Sequence, residues 1–123
     1  MKQYSFEWAD MLIRPCRTQA ELTKEGEILD HCVGGYARDV AEGKKAIFFI
    51  RKKTEPNKPW YTLELNEKEL RVVQNRGKKN CERTEAVRRF EEVWLGWLKA
   101  GAMRDAQGEP IVPDNKKKGK KTA

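Results

Sequence analysis

A single histidine, an arginine closing an apolar run, and a glutamate and a glutamine in alternating segments are the residues here best suited to chemistry. His31, the only histidine, stands in D-H-C-V-G-G-Y. Imidazole titrates near neutral pH without help, so His31 is a natural acid or base. Gly34 and Gly35 follow it, and a helix is expected to restart near Tyr36 with Arg38 in its first turn. A Gly-rich turn feeding a helix start exposes backbone N–H groups that suit an anion. Arg51, Thr62, Glu64, Gln74 and Arg76 form a second group, spread over three alternating segments.

The elements that must position these groups follow from periodicity. YSFEWADMLIR (4–14) reads as an extended strand, with room for a bulge, that stops at Pro15; a helical turn is the alternative. Thr18 and Glu21 have capping-box spacing, which predicts a helix from Gln19. Leu22, Leu29, Val33, Tyr36 and Val40 continue at helical spacing, and Gly26 and Gly34-Gly35 break it into short pieces. KKAIFFIRKK (44–53), WYTLELN (60–66) and ELRVVQNRG (69–77) read as three strands of an antiparallel meander. From Thr84 to Lys99, Val87, Phe90, Trp94 and Trp97 form one helical stripe, which assigns these Trp to the core.

The predicted class is therefore α+β. A three- or four-stranded antiparallel meander is packed by short N-terminal helices and one C-terminal amphipathic helix, with both ends covering one face. Residues 1–100 form the domain, and 101–123 read as a basic, disordered tail.

Alternation then sorts the side chains. Ile47, Phe49 and Arg51 point one way, Thr62 and Glu64 share a face, and Leu70, Val72, Gln74 and Arg76 share another. A consistent arrangement brings Arg51, Thr62, Glu64, Gln74 and Arg76 together beside apolar neighbours. Burial there would give Glu64 a cationic partner, with Arg51 or Arg76 the obvious choice. A solvated face with cross-strand ion pairs is the plainer alternative.

Composition narrows the partners. The formal net charge is +7, but five lysines lie between Lys116 and Lys121, and removing them leaves +2. Nucleic acid is a reasonable partner on charge, though a Lys-rich end can also be only a solubilising feature. Cys16, Cys32 and Cys81 are an odd number without paired spacing, no apolar leader is visible, and no segment approaches a membrane span. Free thiols in a cytoplasmic protein are expected, without membrane, metal or cofactor. The close Cys pairs that nucleate a zinc site are missing.

The order of these motifs resembles a known family. E-G-x-x-L-D-H-C-V-G-G-Y (25–36), an apolar strand ending in Arg51, Y-T-L-E-L (61–65), Q-N-R-G-K-x-N (74–80) and a Trp-bearing last helix are similar to the core of PcfJ-like proteins of conjugative plasmids and phages. The likeness spans roughly residues 5–98. It implies functional positions at His31, Cys32, Tyr36, Arg51, Thr62, Glu64, Gln74, Arg76 and Asn80, which overlap the polar set found from alternation. Many members are longer, so a function that needs further sequence does not follow from the likeness.

The leading expectation is a nucleic-acid- or nucleotide-binding domain of a mobile element. Arg51, Arg76 and the Gly34-Gly35 turn would hold phosphate, Tyr36 would stack, and Gln74 and Asn80 would read polar edges. The alternatives are a metal-independent nuclease or phosphotransfer enzyme with His31 and Glu64 as acid and base, and an adaptor or counter-defence protein that binds a host protein.

Overall fold

The computed structural model describes residues 4–30 and 46–113. Five strands run in simple sequence order: β1 (Phe6–Trp8), β2 (Met11–Pro15), β3 (Ala46–Lys52), β4 (Tyr61–Asn66) and β5 (Arg71–Arg76). Every neighbouring pair is antiparallel. The expected meander is present, with more strands than the three or four anticipated. The N-terminal segment is not one strand but a hairpin. It folds at Ala9, whose φ of 56° lies in the left-handed region, so neither Gly nor Asn marks the turn.

Helix α1 (Gln19–Leu29) starts where the capping box places it: the Thr18 hydroxyl accepts from Glu21 N–H at 3.0 Å. Gly26 does not interrupt it. The helix runs unbroken through that buried glycine and stops at Asp30, which takes a left-handed conformation. Helix α2 (Glu85–Lys99) is capped by Thr84, which accepts from Val87 N–H at 3.2 Å. Gly101 (φ 104°) ends it. The N–H groups of Gly101 and Ala102 return to the carbonyls of Leu98 and Trp97, a Schellman arrangement that a left-handed glycine permits.

The helices cover opposite faces of the sheet, not one face as expected. Val87, Phe90, Trp94, Trp97 and Leu98 of α2 pack on Phe6, Met11, Ile13, Phe48, Ile50, Tyr61, Leu63 and Leu65. Trp94 and Trp97 are fully buried, each with its indole N–H satisfied, by the carbonyls of Tyr4 (2.9 Å) and Met103 (2.8 Å). The opposite parity of β3, Ile47 and Phe49, packs against Leu22 of α1. A sheet buried on both faces explains why the burial pattern of β3 is continuous rather than alternating.

Past α2 the chain stays folded through Pro113, so Gly101 does not end the ordered structure. Arg104 pairs in a bridge with Pro110, its guanidinium lies 5.0 Å from the Trp97 ring, and it donates to the carbonyls of Ser5 and Gly108. Val112 joins the edge of the main core. The lysine run lies outside the described residues.

Candidate functional site

The α1-covered face carries the polar set. Thr62 pairs with Arg76 and Glu64 with Gln74 across β4 and β5, while Phe49 faces Thr62 and Ile47 faces Glu64. The expected parity fails at one point. The register between β4 and β5 slips at Glu64/Leu65, so Leu65 faces Val72 and Val73 is the extra residue of a bulge. Leu70 and Val72 consequently pack on the α2 side, whereas Gln74 and Arg76 remain on the α1 side. The apolar company expected for Glu64 therefore comes from Ile47 and Phe49 alone.

Arg51 does not pair with Glu64. Its guanidinium forms a bidentate ion pair with Glu25 of α1, Nη2 to Oε1 at 2.6 Å and Nη1 to Oε2 at 3.0 Å. Thr62 Oγ1 donates to the same Oε2 at 2.8 Å. Glu25 and Arg51 are 1 % and 3 % exposed, and the Arg51 guanidinium stacks 4.8 Å from the Phe49 ring. Among the described residues, buried Arg51 Nε has no hydrogen-bond partner. A cation so thoroughly engaged by a carboxylate is a poor phosphate holder, because an incoming anion would have to displace Glu25 in a desolvated site.

Glu25 was not among the expected site residues. Its signal was its place between Leu22 and Leu29 on the apolar stripe of α1, where a carboxylate demands a buried cation. Glu64, 9 % exposed, accepts from Gln74 Nε2 at 3.4 Å, and Thr62, Glu64 and Gln74 each have a further interaction. Arg76 reaches the surface and pairs with Glu82, whose carboxyl that guanidinium holds below the usual range. Asn80 is exposed, with φ 61°. His31, Cys32, Gly34, Gly35, Tyr36 and Arg38 lie outside the described residues. Among the described residues no cluster of His, Cys, Asp or Glu could hold a metal ion, and no helix is long and apolar enough to cross a membrane.

The meander also gathers residues that sequence reasoning passed over. Antiparallel order puts the β3–β4 connection at the same end of the sheet as the exit of β5. Lys52, Lys53 and Lys58 therefore lie at the end where Arg76, Lys78 and Lys79 emerge. Gly77 makes that exit possible: a Cβ there would come within 2.9 Å of both Cys81 Sγ and the Tyr61 ring. Burial, and the hydrogen bond to the Cys81 thiol, push the Tyr61 hydroxyl above its ordinary pKa. Trp60 is half-buried at the same end, with Lys52 Nζ 5.1 Å from its ring centre. Three acids share the surface, as Glu55 meets Lys58 at 3.8 Å, Asp30 meets Lys79 at 3.3 Å, and Glu82 meets Arg76. Such exposed pairs are worth only ~0–1 kcal/mol, so a phosphate can exchange with them. The readable signal was K-K and K-P-W flanking one turn (Lys52-Lys53, Lys58-Pro59-Trp60).

Comparison with known proteins agrees with the motif order. The sequence model of the PcfJ-like protein family matches residues 1–91. The uncharacterized protein Lin1253/Lin1744 of Listeria innocua serovar 6a is 41% identical over 83 residues, which is 66% of this chain and 18% of that protein. The chain thus spans under a fifth of the length of this curated relative. No solved structure matches.

Proposed function

Since the chain belongs to the PcfJ-like protein family, we propose that its fold serves as a nucleic-acid-binding domain of a phage or plasmid protein. This reading rests on six cations that lie at one end of the sheet, the end where Trp60 also sits with Lys52 over its ring. Lys52, Lys53, Lys58, Arg76, Lys78 and Lys79 supply phosphate contacts, and the Trp60 ring supplies a stacking surface for an unpaired base. Arg51 and Glu25 act beneath them as the buried tie that fixes α1 to the sheet, a revision of the phosphate role first expected for Arg51. The exposed Cys81 and half-buried Cys16 thiols suit the reducing cytoplasm where such a protein would act.

Fluorescence anisotropy with a labelled single strand tests the reading. Lys53→Glu should weaken binding about tenfold, a charge reversal worth ~1.4 kcal/mol. Lys68→Glu, in the β4–β5 turn at the other end of the sheet, should leave binding unchanged. Equal effects of the two would count against a local site.

A second reading, a metal-independent nuclease or phosphotransfer enzyme, draws support from Glu64, a nearly buried carboxylate held by the Gln74 amide. A carboxylate positioned in this way is suited to accept a proton. Cleavage of the labelled strand by the native protein, lost in Glu64→Gln, would favour it.

A further inference from the structure

The second face of β5 carries a cleft that the nucleic-acid reading does not use. It is a shallow cleft of about 490 Å³, open to solvent, between β5 and α2, and is lined by residues from the β4–β5 turn, β5, the segment before α2, and α2 itself. That volume falls within the range of small-ligand sites. Leu70, Val72 and Leu95 line part of it, Arg71, Arg83 and Lys99 add positive charge from three different elements, and the carboxylates of Glu69 and Glu91, each paired to one of these arginines, complete the lining.

Two features of the chain shape this cleft. Leu70 takes a left-handed conformation (φ 52°), uncommon for a bulky residue, and the bulge at Val73 turns Val72 inward. The polar groups at the base of the cleft are fixed. Asn75, 1 % exposed, donates to Glu91 Oε1 at 3.0 Å, and Arg83 Nε lies 3.4 Å from that same oxygen. Glu91 thus holds the Arg83 guanidinium in place from below. Among the described residues, Arg71 pairs with the exposed Glu69, at 2.9 Å, a pair that an incoming anion can open.

We propose that this cleft binds a phosphate-bearing ligand with an apolar planar body, of the size of a nucleoside monophosphate. Arg83, Arg71 and Lys99 receive the phosphate, where guanidinium forks match its oxygens. The strip of Leu70, Val72 and Leu95 receives the ring. This site is separate from the basic end of the sheet, and either can fail without the other.

Amide-resolved NMR titration of the full chain with adenosine monophosphate, and with inorganic phosphate alone, tests the assignment. The nucleotide should shift the amides of Val73, Leu95 and Lys99 at millimolar or lower concentration. Inorganic phosphate should bind at least about fivefold more weakly, because it leaves the apolar strip unfilled. Lys99→Glu should weaken the nucleotide about tenfold, and Leu95→Trp, which fills the cleft, should abolish its binding, both with otherwise native spectra. The proposal is overturned if no cleft amide moves by ~10 mM nucleotide. It is equally overturned if shifts appear only around Lys53 and Trp60, or if Lys99→Glu binds as the native protein does.

Discussion

Glu25 of α1 and Arg51 of β3 meet through two hydrogen bonds, at 2.6 and 3.0 Å, inside a protein whose remaining ion pairs among the described residues lie nearer the surface. The pair is the polar tie between α1 and the sheet, with Thr62 completing the carboxylate's partners. Removing one member leaves the other charge buried and unmatched, so Glu25→Ala and Arg51→Ala should each cost about 3–5 kcal/mol. Glu25→Leu combined with Arg51→Met should recover most of that loss, since an apolar pair needs no partner. Urea unfolding of the four proteins checks this. Additive losses in the double variant would show that the two residues do not act as a pair.

The folded segment after α2 gives a second prediction. Ending the chain at Gly101 removes the carbonyl that accepts from the Trp97 indole, the Arg104 guanidinium beside that ring, and the Val112 contact. An orphaned buried donor and a lost cation–π contact together should destabilise the domain by about 2–4 kcal/mol. A truncated chain that melts like the full one would mean that residues 102–113 do not support the core.

Acid should loosen the start of α1. Burial works to raise the Glu21 carboxyl, but the two Arg14 hydrogen bonds (2.9 and 3.2 Å) and the Arg17 N–H outweigh it and hold Glu21 below the usual range. A depressed folded-state pKa gives stability that is fully present above the unfolded carboxylate value, about 4.3, and is lost as pH falls through the folded one. Arg14→Gln should therefore be less stable than the native protein at pH 7, with the gap closing below about pH 4. A gap that persists at pH 2–3 would assign the effect to packing of Arg14 on Phe49 instead.

The two described thiols should differ in reactivity. Burial, reinforced by the Glu21 charge, pushes Cys16 up to about 11, so roughly one molecule in a thousand is thiolate at pH 8. Cys81 is exposed. In a Cys32→Ser background, a disulfide reagent at pH 8 should label Cys81 first and Cys16 far more slowly. Comparable rates would contradict the burial of Cys16.

Strands β3 to β5 and both helix starts were readable because alternation, turn residues and Thr caps all agree there. The β1–β2 hairpin was not, since Ala9 adopts a left-handed turn without the usual Gly or Asn. One extra residue, Val73, inverted the facing assigned to Leu70 and Val72, and a single-residue bulge leaves no trace in a periodicity. Alternation did collect Arg51, Thr62, Glu64, Gln74 and Arg76 onto the α1 face. It could not supply Glu25, which is helical, so Arg51 was given the wrong partner. The basic end escaped notice because its lysines belong to segments far apart in sequence that only the meander's topology unites.

If the basic end of the sheet binds nucleic acid, its affinity must depend on salt through the cations there. Each phosphate contact to a single strand contributes about −0.7 to the slope of log K against log salt. Replacing Arg76, Lys78 and Lys79 together by Ala should therefore reduce the steepness of that slope by about 2 for a labelled single strand. The Lys-rich C-terminal residues are common to both proteins and cancel in the comparison. A triple variant with the native affinity and slope, or a native protein with no affinity for the strand at low salt, would rule out nucleic-acid binding at this end of the sheet.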